Sequence, residues 1–528
     1  GVLVGFGGGA TKRTREPTAR RSRTGRKADY LLELAADPAP AIVGPDGRHS
    51  YADLRAAVAT LGEHLVSLEL PPGSVVALLA ANGFFWVAAY LAALARGFVV
   101  APLPVTLPAA EVAALLALLG TGALLVGRAQ ERAVARIPGL AVPVVAETAL
   151  AAAPVAVAPP VPVPVDPDQD AVYVFTSGTT GRPRVVRTTH RNLQANTESI
   201  LSYLRLDATD RMLVVLPFSY VFGASLLHTH LRAGASMVIQ PNFVYPESIV
   251  ERMVAEECTG FAGVPSTFHL LLRNSSFRTR QVPTLRTIQQ AGGKLSSVLV
   301  RELVEAQPQA RVFVMYGQTE ATARLSHLPP EEVLTRTGSI GKGIPGVELR
   351  VVTQEGTTVQ PGEVGEIRAR GPNISPGYLA DPEATAVKMP DGELRTGDLA
   401  TVDADGYIYI VDRAEDFIKS WGFRVASQEV EAVAMELPDL ISAAAVGVPD
   451  DAAGERVELV VVARPGSDLG AEAVLAHCRA RLAKHMLAQT VHFTRRLPLN
   501  ANGKVSKAEL RSWCIEQAQQ ASGGGRDG

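Results

Sequence analysis

The sequence predicts an α/β protein with a large N-terminal domain, built from several subdomains with mainly parallel sheets, and a small α+β C-terminal domain. Short apolar segments alternate with helical patterns in the first part of the chain, as in layered α/β folds. The alternation restarts at Met212, which indicates a second subdomain. After Asp412-Arg413 the pattern changes to about a hundred residues of short α+β elements, a normal size for a separate domain.

Individual elements can be assigned within this alternation. Ser50 and Asp53 form the pattern of a capping box, and the helix after them carries an apolar stripe at helical spacing, at Leu54, Ala57, Val58, Leu61 and Leu65. Further helices are predicted over 84–94 and 224–231, and strands over 75–81, 98–102, 171–175, 212–216, 236–239 and 311–315. Residues 151–165 are almost entirely Ala, Val and Pro. Because proline cannot continue a helix, we expect an extended surface crossover there.

Length, charge and cysteine usage exclude several classes of protein. A chain of 528 residues is expected to form two to four domains. The net charge of −2 gives no electrostatic reason to bind nucleic acid or an acidic membrane. The three cysteines are widely scattered, which argues against a disulfide framework or a zinc site and suggests a reducing, cytoplasmic compartment. No apolar run is long enough for membrane insertion.

The densest group of chemically useful residues follows the predicted strand 171–175. It consists of hydroxyl residues and glycines, namely Thr176, Ser177, Gly178, Thr179, Thr180 and Gly181. Because glycine has no side chain, backbone N–H groups and nearby hydroxyls can converge on a multiply charged anion. Arg184 adds a planar guanidinium that is always positively charged. The segment is therefore predicted to bind phosphate. It is not a P-loop, which needs Lys-Ser or Lys-Thr after its second glycine. Taken alone, the run is also compatible with a Gly/Thr-rich surface turn.

Two later segments carry groups suited to a nucleotide. The strand predicted over 311–315 ends in Tyr316-Gly317-Gln318-Thr319-Glu320, and open α/β sheets bind ligands at the carboxyl ends of their strands. Asp398 lies at a glycine turn, and an ionised carboxylate only accepts hydrogen bonds, which suits the two hydroxyls of a ribose. Alone, the first segment is compatible with a plain turn and the second with a surface hairpin.

Together these segments resemble the signature motifs of the adenylate-forming superfamily, which includes acyl-CoA synthetases, firefly luciferase and the adenylation domains of peptide synthetases. The family pattern is (Y/F)-(T/S)-S-G-T-T-G-x-P-K-G-V, followed by T-H-x-N. The chain departs from it at Arg184, where Lys is usual, and at Val185, where Gly is usual. The chain keeps the residues Thr176 to Gly181, Pro183, Val186, Thr189, His190 and Asn192.

The resemblance implies ATP-dependent activation of a carboxylic acid as acyl-AMP with release of pyrophosphate, then transfer to a thiol. ATP and Mg²⁺ are the implied cofactors. The partners are a small-molecule acid and, as acceptor, CoA or the phosphopantetheine of an acyl or peptidyl carrier protein. The enzyme is expected to be a monomer or a homodimer. Two alternatives stay open: adenylation of an unusual non-acyl acid in a biosynthetic pathway, and a catalytically inactive nucleotide-binding relative.

The resemblance also implies a nucleotide site. In it Tyr316 stacks on adenine, Thr319 contacts the α-phosphate, Glu320 holds Mg²⁺, and Asp398 and Arg413 grip the ribose. The other residues assigned to the nucleotide are Thr176, Ser177, Gly178, Thr180, Gly181, Gly292, Gly293, Lys294 and Gln318. Within this set, the turn from Gly292 to Lys294 is equally compatible with a helix entry.

The implied catalytic residues are Lys504, Lys419, Thr179, Glu320 and Arg184. Lys504 closes a segment, Pro498 to Lys504, that resembles the family's tail motif P-x-(T/N)-x-x-G-K. The resemblance assigns it to the carboxylate and α-phosphate during adenylation, and assigns Lys419 to the second half-reaction. Without that context, an exposed lysine is normally only a solvated side chain.

The resemblance makes the C-terminal domain a mobile lid with its hinge at Glu415, where the family usually has Asp or Lys. We therefore divide the chain into a disordered basic leader at 1–27, a large adenylation domain at 28–411, a lid domain at 412–517 and a disordered tail at 518–528.

The implied acyl pocket consists of Phe218, Ser219, Tyr220, Phe222, Gly263 and Val264. Peptide-synthetase domains carry an Asp near Ser219 that holds the substrate's amino group, and this chain has none there, which disfavours a standard α-amino acid. The aromatic residues suggest a moderately apolar or aryl acid. Core packing is the alternative explanation for them.

Overall fold

A computed structural model of the chain describes residues 27–151, 165–176, 184–241, 243, 245–414, 416–450, 452–500 and 504–523. Within these ranges the helices are Lys27–Leu32 (α1), Tyr51–Val66 (α2), Phe84–Ala95 (α3), Ala109–Leu118 (α4), Glu131–Val134 (α5), His190–Leu204 (α6), Val221–Ala233 (α7), Pro246–Ala255 (α8), Pro265–Asn274 (α9), Ser297–Ala306 (α10), Pro382–Lys388 (α11), Ser427–Ala434 (α12), Ala471–Arg479 (α13) and Lys507–Gly523 (α14).

The strands of the same ranges are Pro40–Gly44 (β1), Gly47–Ser50 (β2), Val75–Leu79 (β3), Val99–Pro102 (β4), Ala123–Val126 (β5), Val144–Ala146 (β6), Asp170–Thr176 (β7), Arg184–Thr189 (β8), Arg211–Val214 (β9), Ser236–Ile239 (β10), Gly260–Gly263 (β11), Thr287–Gln290 (β12), Arg311–Tyr316 (β13), Ser326–Leu328 (β14), Lys342–Gly343 (β15), Glu348–Val352 (β16), Gly365–Arg370 (β17), Leu394–Val402 (β18), Ile408–Arg413 (β19), Ile418–Ser420 (β20), Phe423–Val425 (β21), Leu440–Asp450 (β22), Gly454–Ala463 (β23) and Thr490–Phe493 (β24).

Two mainly parallel sheets form the large N-terminal part. One has the strand order β6-β5-β3-β4-β7-β8 and is parallel except for the β7–β8 pair. The other has the order β15-β14-β13-β12-β11-β9-β10-β1-β2 and is parallel from β13 to β1, with antiparallel strands at both edges. The predicted α/β class with mainly parallel sheets is confirmed.

Helix α3 lies at the centre of the largest core. All of its residues are buried, as expected for a helix that is apolar on every side. The surrounding cluster includes Val76 and Leu78 from one sheet and Met212 and Val214 from the other, so the helix packs between the two sheets. Helix α2 packs against α3, and it begins with the predicted capping box at Ser50.

Two smaller sheets complete the fold. Strands β16 to β19 form an antiparallel sheet in sequence order, and strands β20 to β24 form the mixed sheet of the small C-terminal part. The antiparallel register of β18 and β19 places Asp398 opposite Arg413. This pairing determines the geometry of one side of the candidate site.

The predicted tail is wrong over part of its length. Helix α14 continues to Gly523, so residues 518–523 are helical instead of disordered. Alanine and glutamine dominate this stretch, and both have high helix propensity. Most of the predicted leader at 1–27 and of the crossover at 151–165 lies outside the described residues, and Lys27 already belongs to α1. Among the described helices, none combines the length and apolar character needed to cross a membrane.

Candidate nucleotide and acid site

The loop after β13 is shaped by a glycine that cannot be replaced by a larger residue. A Cβ atom on Gly317 would lie 1.8 Å from the carbonyl oxygen of Ala323, so only glycine allows this close approach. A single helical turn, Thr319–Ala321, follows. Thr322 then has a φ of +65°, a conformation that β-branched residues rarely adopt. Such strain concentrates at functional sites.

The loop borders a cleft of about 320 Å³, within the size range of small-molecule sites. Its lining also comes from β8, the start of α7, the β18–β19 hairpin and the segment before α14. The predicted site residues that line the cleft are Thr176, Arg184, Tyr220, Phe222, Gly292, Gln318, Thr319, Glu320, Arg413 and Lys504. Residues from distant parts of the sequence therefore meet where the resemblance places a nucleotide.

Asp398 and Arg413 form an ion pair beside this cleft. The Arg413 Nε atom lies 3.3 Å from Asp398 Oδ1, and the hydroxyl of Tyr316 donates a 2.5 Å hydrogen bond to Asp398 Oδ2. Asp398 is buried and the Arg413 side chain is half-exposed. Burial, together with the Asp398 charge, raises the pKa of Tyr316 well above its ordinary value, so this hydroxyl stays protonated and donates.

Glu320 is held by a tyrosine that sequence reasoning missed. The Tyr378 hydroxyl donates a 2.7 Å hydrogen bond to Glu320 Oε1, and the Arg184 guanidinium carbon lies 5.4 Å from the centre of the Tyr378 ring. A backbone bridge between Val186 and Tyr378 brings the tyrosine beside β8. Tyr378 lies fifty-eight residues from Glu320 in the sequence, and its local signal is only the turn-forming Gly377 before it.

Lys504 lines the cleft, and two hydrogen bonds with Asn500 hold its backbone. Its backbone N–H donates to Asn500 Oδ1 at 3.0 Å, and its carbonyl accepts from the Asn500 N–H at 2.8 Å. The Lys504 Nζ atom lies 5.8 Å from the centre of the Tyr220 ring. Burial and the Arg413 charge lower the pKa of Lys504 to about 8, against the opposing effect of Asp398 and Glu320. Lys504 thus stands among the charged groups of the site.

Gly292 leaves room between Lys504 and the predicted acyl pocket. A Cβ atom there would lie 2.8 Å from Val264 and 2.9 Å from the Tyr220 hydroxyl, with the Lys504 Cε atom 3.7 Å away. The residue also has a φ of +87°, which glycine adopts without strain. The open space next to Lys504 therefore requires a glycine, which has no side chain, at position 292.

Several predicted residues lie elsewhere. Lys294 donates from Nζ to the Ile410 carbonyl at 3.3 Å and does not line the cleft. Phe218 and Ser219 line a separate inner cavity of about 20 Å³. Lys419 is exposed on β20.

The predicted glycines Gly263 and Gly293 do not line the cleft either. Gly263 packs beside Thr267, and Gly293 packs beside Pro265. The predicted residues Ser177, Gly178, Thr179, Thr180, Gly181 and Glu415 are outside the described residues.

The residues present are compatible with a magnesium ion that arrives with a nucleotide. No group of three or more His, Cys, Asp or Glu side chains in the described part of the chain could hold a metal by itself. Mg²⁺ at nucleotide sites uses one or two carboxylates together with phosphate oxygens and water. Glu320 lines the cleft and can supply one such carboxylate.

Comparison with known proteins agrees with this geometry. The family model described as "AMP-binding enzyme" matches residues 35–379, and the model described as "AMP-binding enzyme C-terminal domain" matches residues 429–504. The chain is 35% identical to feruloyl-CoA synthase of Amycolatopsis sp., over 64% of this chain and 68% of that protein. It is 32% identical to a methyl-dioxo-octahydro-indenyl-propanoyl:CoA ligase of Mycobacterium tuberculosis, over 89% of this chain and 95% of that protein.

Solved structures share the whole fold. ATP-bound MatB from Rhodopseudomonas palustris superimposes with a TM-score of 0.85 at 27% identity, covering 93% of this chain and 99% of that one. The amide bond synthetase McbA from Marinactinospora thermotolerans gives a TM-score of 0.84 at 29% identity, covering 92% and 99%. Since the first family model alone covers more than half of the sequence, the chain belongs to the AMP-binding enzyme family, and the resemblance to the adenylate-forming superfamily is confirmed.

Proposed function

We propose that this ATP-dependent, acid-activating enzyme forms an acyl-adenylate in the cleft between Lys504 and the Asp398–Arg413 pair, and then passes the acyl group to a thiol. The observation that carries the proposal is the meeting of these three residues with Glu320 and Tyr220 around one cleft. The relatives named as CoA ligases support CoA as the acceptor. A carrier-protein phosphopantetheine offers the same thiol.

In the first half-reaction a carboxylate oxygen of the acid attacks the α-phosphorus of ATP, and the bond to pyrophosphate breaks. The protein supplies position and charge more than covalent chemistry. Lys504 neutralises the carboxylate and α-phosphate as they approach each other. A charge pair at about 4 Å is worth roughly 1 kcal/mol in water but about 4 kcal/mol at an effective dielectric constant near 20. The half-buried position of Lys504 therefore strengthens its effect.

The remaining groups orient the nucleotide. Asp398 and Arg413 hold the ribose. The Arg184 guanidinium, which stands where the family usually has lysine, binds the outer phosphates through two parallel hydrogen bonds. Mg²⁺, held by Glu320 and the phosphates, would neutralise the charge of the leaving pyrophosphate. Tyr378 fixes the Glu320 carboxylate through its hydrogen bond, which keeps the carboxylate directed at the cleft.

The second half-reaction uses a different residue. The thiol sulfur attacks the acyl carbon, the bond from that carbon to the phosphate oxygen breaks, and AMP leaves. We propose that residues 412–517 rotate about Glu415 as a lid. This rotation removes Lys504 from the site and brings Lys419 to it. The exposure of Lys419 on β20, away from the cleft, supports a role in a second arrangement.

ATP–pyrophosphate exchange over a panel of carboxylic acids tests the proposed reaction. At least one apolar, aryl or dicarboxylic acid should support exchange. The same acid should then give a thioester with CoA, or with a carrier protein if CoA is inactive. Absence of acid-dependent exchange in protein that binds ATP would refute the activation step and favour a catalytically inactive nucleotide-binding relative.

Replacing Lys419 with alanine should separate the two half-reactions. Because Lys419 lies outside the cleft, we expect acid-dependent exchange within about twofold of the unmodified enzyme. Thioester formation should be at least about tenfold slower, since a misplacement of the reacting groups by about 1 Å can cost about a hundredfold. Single-turnover formation of AMP from a preformed acyl-adenylate measures the second step alone. Arg424 lies opposite Lys419 in the β20–β21 hairpin, and Arg424→Ala is the matched control. Equal losses in both half-reactions of Lys419→Ala would contradict the assignment.

The pH profile of exchange should show the titration of Lys504. Its pKa of about 8 in the free protein means that the ammonium is present at lower pH and is lost as the pH rises. The value of kcat/KM, which reports groups of the free enzyme, should therefore fall above pH about 8. Bound ATP is anionic and should shift the fall in kcat to higher pH. In Lys504→Arg the guanidinium stays charged, so the residual activity should lack this alkaline fall. An identical fall in that variant would assign the titration to another group.

A further inference from the structure

Arg324 is a buried cation beside the candidate site. It is 1% exposed and is among the largest fully buried side chains of the described residues. It follows the loop that carries Glu320 and lines the same cleft as Tyr220 and Phe222. Asn196 and Asn373 donate hydrogen bonds to its carbonyl oxygen at 3.1 and 2.9 Å, which fix its backbone. Its position is therefore set by the fold.

The contacts of the guanidinium are aromatic and neutral. Its carbon lies 4.6 Å from the centre of the Phe222 ring, and one terminal nitrogen lies 3.4 Å from Ser225 Oγ. The Nε atom has no hydrogen-bond partner in the described part of the chain. The Tyr203 hydroxyl is a hydrogen-bonding neighbour of the guanidinium, whose charge also acts on His327 and Tyr220. None of these groups carries a negative charge.

No carboxylate of the described residues pairs with Arg324. Arg273, another buried arginine, differs from Arg324 because it forms a bidentate ion pair with Glu302. A guanidinium does not lose its proton in proteins, and a buried charge is costly unless it is paired. The cation-π contact with Phe222 offsets only part of that cost. An anion in the cleft would complete the pairing.

The surroundings indicate which molecule brings the anion. Tyr220 lines the same cleft as Lys504 and Arg324: its ring centre is 5.8 Å from Lys504 Nζ, and the charges of Arg324 and Arg413 both act on its hydroxyl. The charges of Asp398 and Arg413, the nucleotide groups of the proposed site, also act on Lys504. The cleft lining next to Arg324 includes the apolar side chains of Phe222, Val221 and Ala323. An acid whose first carboxylate lies at Lys504 can therefore place a second anionic group at Arg324 within the same cleft.

We propose that Arg324 binds a second carboxylate on the acid that the enzyme activates, so that the substrate is a dicarboxylic acid with a short apolar or aryl spacer. This inference rests on the proposed function. One carboxylate attacks the α-phosphorus of ATP and displaces pyrophosphate, while the other remains ionised on Arg324 and changes no bond. The planar fork of arginine matches a carboxylate. The inference also makes a neutral acyl chain a poorer substrate, because it would leave the cation unpaired.

The binding test compares diacids with neutral analogues of nearly equal size. The probes are succinate, glutarate, adipate and phthalate, each against its monomethyl ester, titrated calorimetrically into the full-length enzyme with a non-hydrolysable ATP analogue. At least one diacid should bind about tenfold or more tightly than its ester, since a hydrogen-bonded charge pair is worth about 1.5–3 kcal/mol. Equal affinity for every pair, or no binding of any diacid, overturns the proposal. This comparison uses the unmodified enzyme and so does not depend on how a variant folds.

Two variants locate the effect. Arg324→Met keeps the apolar stem and should abolish the preference for the diacid while binding the ATP analogue normally. Arg311→Met is the matched control, because Arg311 also stacks on a phenylalanine, with its guanidinium carbon 5.5 Å from the Phe313 ring centre, but lies outside the cleft. It should keep the full preference. A preference that survives in Arg324→Met assigns the anion site to another residue.

Exchange measurements separate this inference from the proposed function. If a diacid binds with Arg324-dependent preference but no acid supports exchange, the anion site stands and the activation step fails. If diacids and esters support exchange with equal kcat/KM, the activation step stands and the anion site fails. Preferential exchange with a diacid that is lost in Arg324→Met supports both.

Discussion

Lys504→Ala should lower acid-dependent ATP–pyrophosphate exchange by at least about a hundredfold, because removal of one preorganised group that stabilises transition-state charge costs about a hundred- to a thousandfold. The binding of ATP should change little, since the nucleotide keeps Asp398, Arg413 and the loop after β13. The backbone of Lys504 is fixed by its paired hydrogen bonds with Asn500, and its side chain lines the cleft. Exchange kinetics and calorimetry with an ATP analogue measure the two effects separately.

Lys484→Ala is the control for Lys504→Ala. Lys484 is an exposed lysine of the same C-terminal part and does not line the cleft, so its removal should leave exchange unchanged. If Lys504→Ala retains full exchange, the lysine is not part of the adenylation step. If it loses ATP binding to the same extent as exchange, its role is nucleotide binding and not the stabilisation of the reacting groups.

The individual elements of the fold were largely predictable because the hydrophobic pattern determines them locally. The capping box at Ser50 and the all-apolar helix α3 follow from short stretches of sequence. The pairing of sheets around α3 could not be predicted in the same way, since it depends on contacts between strands far apart in the chain. The helical end of α14 was missed because glycines after Ser522 suggested disorder, whereas the alanines and glutamines before it favour a helix.

The candidate site was predictable where a motif carries several groups at once. Thr319 and Glu320 follow β13 directly, and both line the cleft. The reason that Asp398 and Arg413 meet is the antiparallel register of β18 and β19, which the sequence spacing alone does not specify. The functional roles of these residues remain predictions.

Tyr378 and Arg324 were missed for a physical reason. Tyr378 reaches Glu320 through tertiary structure, across fifty-eight residues of sequence. A charged residue such as Arg324 would normally be taken for a surface position, and only the structure shows that it is buried. Lys294 is the opposite case: the resemblance of its turn to the family's motif assigns it to the nucleotide, but its Nζ atom contacts the Ile410 carbonyl of β19.

The second large effect is expected for Asp398→Ala, which should weaken binding of ATP by at least about a hundredfold. Two hydrogen bonds from ribose hydroxyls to a carboxylate, each worth about 1.5–3 kcal/mol, correspond to about a hundredfold to ten-thousandfold in affinity. The substitution also leaves the Tyr316 hydroxyl and the Arg413 guanidinium without the acceptor that orients them. Calorimetric titration with ATP and with AMP measures the loss, which should be equal for both nucleotides because they share the ribose.

Tyr316→Phe separates the ribose contact from the support of the carboxylate. It removes the hydroxyl that donates to Asp398 Oδ2 but keeps the aromatic face and the Arg413 pair. Because the proposed ribose contacts are kept, nucleotide affinity should fall by no more than about tenfold, less than the loss of a hydrogen bond between the ribose and the carboxylate. Asp398→Asn should lie between the two variants, because the amide keeps one acceptor oxygen and loses the charge that attracts Arg413. If Asp398→Ala binds AMP as tightly as the unmodified enzyme, the ribose does not lie against β18, and the nucleotide orientation proposed for this cleft is wrong.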